Sequence, residues 1–129
     1  MSHYAIAKVH ITNPKKDTFL RALNILAEKL GGKVAENVVI RGWGFQKECD
    51  YAILMKLPYG NGYGIELTNN GIKVHVDDHG APLTAQQFAE ELMKTYTSLA
   101  IQEALEQLGY SVQKQEEKEQ VIIYAYEGW

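Results

Sequence analysis

Lys8-Val9-His10-Ile11 and Lys73-Val74-His75-Val76 are nearly the same tetrapeptide, met twice in one chain. Each alternates polar and apolar side chains with period two, the pattern of a strand that buries one face. A helix-period segment follows each, and both segments close on Leu-Gly-x-x-Val. The first reads Leu30-Gly31-Gly32-Lys33-Val34 and the second Leu108-Gly109-Tyr110-Ser111-Val112. An apolar strand comes next both times. Lys, Val and Leu-Gly are common, so the short matches alone can arise by chance, but their shared order points to duplication or pseudo-symmetry. It implies an α+β fold in two layers, a mainly antiparallel sheet of about six or seven strands with two helices on one face. That is a ferredoxin-like arrangement, or an elaboration of it with internal pseudo-duplication. Right-handed crossovers would put both Lys-Val-His strands at the centre of the sheet. Val9, Ile11, Val74 and Val76 then face the helices. Lys8, His10, Lys73 and His75 face the other way, joined by Tyr4 and Ile6.

Outward from the repeat, the first strand covers Ala5 to Ile11, and Asn13-Pro14 reads as an N-cap with proline at the first helical position. Phe19, Leu23, Leu26 and Leu30 keep helical spacing up to Gly31-Gly32. Lys33 to Arg41 is extended, and Arg41-Gly42-Trp43-Gly44 breaks it. Tyr51 to Leu57 is an apolar run expected to be buried on both faces. Pro58 to Gly62 turns, Tyr63 to Leu67 returns, and Asn69-Asn70-Gly71 predicts a hairpin into Ile72–Asp77. Thr84 with Gln87 makes a capping box for a helix carrying Phe88, Leu92, Tyr96 and Leu99. That helix runs to Gly109, some 36 Å at about 1.5 Å per residue. Tyr110–Gln115 and Val121–Tyr126 form a closing hairpin with a charged, solvated tip at Glu116-Glu117-Lys118-Glu119.

The 129 residues suit a single domain spanning 1–129. Hydrophobic residues at 46% and charged ones at 22% mark a globular chain able to bury a core. The single Cys49 excludes an internal disulfide framework and fits a reducing compartment. No signal peptide or apolar span is expected, so the reading is cytoplasmic, whether a plastid stroma or a prokaryotic cytosol, with no membrane. A net charge of −3 argues against non-specific nucleic-acid binding, which needs clustered Lys and Arg.

The face bearing Tyr4, Lys8, His10, Lys73 and His75 is the first candidate site. Read plainly, it is a solvated or dimer-covered sheet surface; read more pointedly, it holds an anion, a metal or a partner. His75, Asp77 and His79 alternate along one strand and could converge with His10, but a metal needs three or four placed ligands and spacing alone does not supply them. A second candidate lies in the loops at Arg41, Trp43 and Tyr59, although a tryptophan between glycines more often folds back on the core than stays exposed. Gly60-Asn61-Gly62-Tyr63-Gly64 is no phosphate loop, since a strand and not a helix follows it. Cys49, between Glu48 and Asp50, should be a poor nucleophile because neighbouring carboxylates raise a thiol's pKa. The acidic pairs Asp77-Asp78, Glu90-Glu91 and Glu116-Glu117 point apart and make no acid/base pair. No catalytic residue and no cofactor is assigned.

Met1-Ser2-His3-Tyr4 with a lysine-containing strand behind it resembles the opening of the hypothetical chloroplast reading frame thirty-five proteins, small proteins of cyanobacteria, plastids and other prokaryotes classed as a domain of unknown function. The similarity continues through Tyr63-Gly64-Ile65-Glu66-Leu67 and its Asn-Gly turn, then Phe88, Leu92 and Tyr96, then Leu108-Gly109-Tyr110 and the apolar last strand. The family tends to carry a basic residue beside a terminal Trp, which Tyr126-Glu127-Gly128-Trp129 lacks. The resemblance implies the domain limits and a native Met-Ser-His start; it implies no activity and no catalytic residue.

The expected function is a non-enzymatic interaction or accessory module working through the open sheet face as a homodimer or with a protein partner. Two helices cover one side of a sheet, and the other side of an apolar sheet needs a cover. The alternative is a small-molecule, anion or metal-binding domain centred on His10 and His75 with Lys8 and Lys73, catalytic if the histidines shuttle protons. A second alternative is single-stranded RNA on Tyr4, Lys8 and Lys73.

Overall fold

The two strands that carry the Lys-Val-His segments pair with each other, antiparallel, with Lys8 opposite Lys73. In the computed structural model, which describes residues 4–11, 13–117 and 120–127, with side chains through 109, the chain runs in the order β1 (Tyr4–Val9), α1 (Lys16–Leu30), β2 (Lys33–Gly42), β3 (Phe45–Leu57), β4 (Gly60–Thr68), β5 (Gly71–Asp77), α2 (Ala85–Gln107), β6 (Tyr110–Glu117) and β7 (Gln120–Glu127). Five strands form one antiparallel sheet ordered β1-β5-β4-β3-β2, and β6 with β7 forms a separate ribbon. The expected α+β class, antiparallel sheet and one-sided helices are present. The sheet has five strands and not six or seven, because the closing hairpin stands apart from it. Nor are both Lys-Val-His strands central: β1 is an edge strand and only β5 is internal. The chain after α1 enters the sheet at its far edge and returns by a four-strand meander, so β1 meets β5 alone.

The helix side is as the alternation predicts. Ala7, Val9, Ile53, Tyr63, Ile65, Ile72, Val74 and Val76 from the sheet close on Phe19, Leu23, Leu26, Phe88 and Leu92 from the helices, with Ile11 packed against them. Tyr63 stacks on Phe88 at 4.4 Å and donates to the Leu83 carbonyl at 2.6 Å, fixing the approach to α2. The capping box is complete: the Gln87 N–H reaches Thr84 Oγ1 at 3.1 Å and the Thr84 N–H reaches Gln87 Oε1 at 2.9 Å. α1 departs from expectation. It begins at Lys16, with Lys15 at the N-cap and no side-chain cap, while Asn13 sits at φ 46. The Lys15 N–H instead meets Tyr96 Oη of α2 at 3.0 Å. Glu103 ties the two helices together, accepting from Thr18 Oγ1 and pairing with Arg21, each at 2.7 Å.

The outer face is not open at its centre. Residues 45–50, which follow the break expected at 41–44, continue β3, and Arg41-Gly42 of that break belong to β2, so β2 and β3 make one long hairpin turning at Trp43-Gly44. Asn37 at φ 51 interrupts its alternation. Beyond that point Cys49 shares a face with Ala52, three residues away, and the two form a second small core with Ile40. There the hairpin leaves the plane of β4: pairing of β3 with β4 ends at Tyr51 and Ile65, and the Asp50 carboxylate takes up the Leu67 N–H at 2.8 Å. The distal hairpin then folds back over the sheet. Its backbone is stitched to Asn61 of β4, which accepts from the Arg41 N–H at 2.7 Å and donates to the Val39 carbonyl at 3.1 Å.

Gly64 makes this return possible. A Cβ there would overlap Cys49 Sγ and lie 2.7 Å from Ile40 Cγ1. Gly64→Ala should therefore lower stability by about 1–3 kcal/mol, the usual cost of overpacking a filled site. It should also speed alkylation of the buried Cys49. Urea unfolding and thiol-labelling rates check both; an unchanged midpoint with unchanged labelling would contradict the packing described.

Candidate functional site

His75 sits on the outer face of β5, between Ile6 of β1 and Gly64 of β4 in register. The returning hairpin covers it, leaving 3% of it exposed. A buried imidazole needs partners for both nitrogens, and it has them. Tyr4 Oη lies 2.7 Å from Nδ1, and Glu66 Oε1 lies 2.8 Å from Nε2. A carboxylate only accepts, so Nε2 carries the proton, and in the neutral ring Nδ1 accepts from the Tyr4 hydroxyl. The second Glu66 oxygen pairs with Lys47 Nζ at 3.3 Å. The result is a chain across four strands: Tyr4, His75, Glu66, Lys47.

The electrostatics follow from this chain. The hydrogen bond from His75, then that from Lys47, holds the Glu66 carboxyl below its ordinary pKa against a desolvation that pushes the other way. Burial raises the Tyr4 phenol, with Lys47 opposing. The Cys49 thiol is pushed up to about 11, first by burial, then by the Glu66 charge, with Asp50 adding a smaller push. The expectation of a poor nucleophile holds, although burial outweighs the adjacent carboxylates as its cause. A polar cleft of about 570 Å³ opens where the hairpin leaves β4, lined by Asn37, Lys47, Glu48, Cys49, Asp50 and Glu66 among others.

At the other end of the hairpin, two of the three residues expected as a second site, Trp43 and Tyr59, come together. Trp43 stacks with Tyr59 at 6.2 Å, and Tyr59 lies 5.4 Å from the His79 ring. Trp43 is 67% exposed, contrary to the expectation that it folds back. Its backbone is anchored by Asp77, whose Oδ2 accepts the Trp43 N–H at 3.1 Å while its Oδ1 lies 3.5 Å from the His79 N. Arg41, two residues before Trp43, is exposed beside it, with its carbonyl against Gly60. Phe45, just past the turn, stacks face to face on Tyr4 with centroids 3.8 Å apart.

The open-face residues separate into two groups. Tyr4 and His75 join; Lys8, Lys73 and His10 do not join them. Antiparallel pairing explains the split, because the two Lys-Val-His sequences then run in opposite directions. The two lysines fall directly opposite each other, whereas His75 falls across from Ile6 and His10 lies four residues further along the chain, just past the end of β1. At about 3.3 Å per residue the two histidines stand roughly 13 Å apart along the strand. His10, His75, Asp77 and His79 therefore do not converge, and no group of three or more His, Cys, Asp or Glu among the described residues is placed to hold a metal. Glu66, Lys47 and Phe45 were not anticipated. Glu66 was within reach, since the Asn69-Asn70-Gly71 hairpin, once closed, sets Glu66 opposite Lys73; Lys47 and Phe45 depend on the fold-back. Met1-Ser2-His3, Lys118-Glu119 and Gly128-Trp129 lie outside the described residues.

No protein-family model, no curated protein and no solved structure matches this chain. No helix among the described residues is long and apolar enough to cross a membrane.

Replacing His75 removes the chain's central member. His75→Ala should cost about 1–3 kcal/mol, because Glu66 and Tyr4 lose a partner in a covered site. The pH dependence gives the sharper signature. A carboxyl whose folded pKa is depressed contributes stability above its ordinary range and loses it as pH falls through the depressed value. Acidification should thus destabilise the wild type more steeply than His75→Ala. Urea melts from neutral to acid pH measure the difference, and parallel profiles would contradict the role of His75.

Proposed function

We propose that the chain is a non-enzymatic interaction module that self-associates along its β1 edge. The observation that carries this reading is a set of exposed apolar side chains at the β1 edge of the five-stranded sheet and at the hairpin tip tied to it: Ile6 at 51%, Tyr4 at 40% and Trp43 at 67%. Tyr4 and Ile6 share one face of β1, and the Trp43 backbone is held by Asp77, the register partner of Tyr4. Large aromatics held rigidly at a surface are the side chains on which interfaces concentrate their energy. An uncovered edge strand offers backbone donors and acceptors to another strand. A second copy meets both needs, because two β1 strands related by a two-fold axis pair antiparallel and bring these apolar side chains together.

The enclosed His75, with both nitrogens engaged, favours a structural over a proton-shuttling role. Phe45 already occupies one face of the Tyr4 ring, which weighs against base stacking there. The strand–helix–hairpin order recurs around β1 and β5, in keeping with an internal pseudo-duplication elaborated from a ferredoxin-like ancestor. Membership of the hypothetical chloroplast reading frame thirty-five family, and a stroma-like or prokaryotic cytosolic setting suited to the single free Cys49, belong to the same reading.

Light scattering coupled to size exclusion should give the mass of two chains. Ile6→Glu and Trp43→Ala should each shift the protein toward the monomer, by roughly tenfold or more in dissociation constant for a central anchor, with circular dichroism unchanged. A wild type that stays monomeric at high micromolar concentration would overturn the proposal.

A further inference from the structure

We infer that Lys8, Lys73 and His10 form a binding site for a phosphate group carried by a small molecule. Lys8 and Lys73 are direct cross-strand partners on β1 and β5, and like charges placed directly opposite repel each other. Among the described residues neither lysine makes an ion pair. The carboxylate nearest in register is Glu66, across from Lys73 on β4. One of its oxygens is on His75 at 2.8 Å and the other is on Lys47 at 3.3 Å. A chain of net charge −3 therefore keeps two uncompensated cations side by side on one sheet face. A bound anion offsets that repulsion.

The surroundings are shaped for one. Just past Val9, the last residue of β1 and the partner of Ile72, comes His10, whose backbone lies against Gly71. Gly71 has φ 137, and a Cβ there would collide with the Val9 carbonyl oxygen. The start of β5 presses against the end of β1 only because position 71 carries no side chain. A cleft of about 240 Å³ results, in which Lys8, His10 and Lys73 meet Thr68 and Asn70 of the β4–β5 turn. Thr68 Oγ1 donates to the Gly71 carbonyl at 2.8 Å and holds that turn. Asn70, exposed at the rim, adds amide donors. Glu90 of α2 shares a neighbouring recess with Lys8 and His10, where Gln86 donates to its Oε1 at 3.2 Å.

Two lysines, a histidine and an asparagine lining one cleft suit a tetrahedral oxyanion with several acceptor oxygens, and lysine serves such groups as a point charge. The acidic balance of the whole chain selects against a polyanion and in favour of a small phosphorylated molecule. The inference does not depend on self-association, which rests on Ile6 and Trp43.

Thermal melts and amide-shift titrations with inorganic phosphate, at ionic strength held constant with chloride, test it on the full chain. Phosphate should raise the wild-type melting temperature and saturate shifts centred on Lys8, His10, Gly71 and Lys73. Lys8→Gln and Lys73→Gln should each weaken binding by roughly tenfold, the effect of removing one charge-assisted contact. Without phosphate both variants should melt above the wild type, because the opposed charges are gone. Equal stabilisation of wild type and variants by phosphate would overturn the site. A single-stranded oligonucleotide that binds more tightly than inorganic phosphate, with loss of binding in Trp43→Ala, would overturn the small-molecule assignment in favour of nucleic acid.

Discussion

The absence of a side chain at Gly64 governs the outer half of this fold. Ile40 and Cys49 occupy the space a Cβ would take, and with Ala52 they form the small core that draws the distal β2–β3 hairpin down onto the sheet. Everything on that face follows from this contact. Once the hairpin is down, Glu66 meets Lys47, His75 is sealed, Trp43 is delivered to Asp77, and Phe45 lies on Tyr4. An antiparallel sheet with helices on one side ordinarily leaves its second face to water or to a partner. Here the chain supplies most of that cover itself, and what remains exposed is a strip along β1.

Two kinds of stabilisation divide the labour. The helix side is apolar and large, and its aliphatic and aromatic burial carries the folding free energy. The outer side is narrow and polar, and its polar groups are partnered: imidazole to phenol and carboxylate, carboxylate to ammonium, backbone N–H to Asp77. Such a network contributes little net stability when complete and costs much when broken. Its effect is positional, because it holds the hairpin tip and its aromatic side chains in one place.

Much of the helix side was legible in the sequence. Period-two alternation assigned Val9, Val74 and Val76 to the core, and Thr84 with Gln87 marked the start of α2, because both signals are local. The strand order was not legible. The Lys-Val-His repeat suggested two equivalent central strands, but the choice of β5 as the sole neighbour of β1 is settled by long-range packing. The fold-back was also hidden. Gln46-Lys47-Glu48-Cys49-Asp50 is too polar to read as a strand, and its covering role requires the left-handed Asn37 and the missing side chain at Gly64, which lie far apart in sequence. The candidate residues suffered accordingly: Trp43 and Tyr59 of the loop group do meet, whereas His10 and His75 were joined by a symmetry that antiparallel pairing undoes.

The most direct test of the self-covered face is a ¹³C-edited nuclear Overhauser spectrum of the aromatic rings. Tyr4 and Phe45 are forty-one residues apart in the chain and meet only if the hairpin lies on the sheet. With ring centroids 3.8 Å apart, strong cross-peaks between the two rings are predicted. Assigned and resolved ring resonances with no cross-peak between them would show that the hairpin stands away from the sheet, and the account of this face would fall with it.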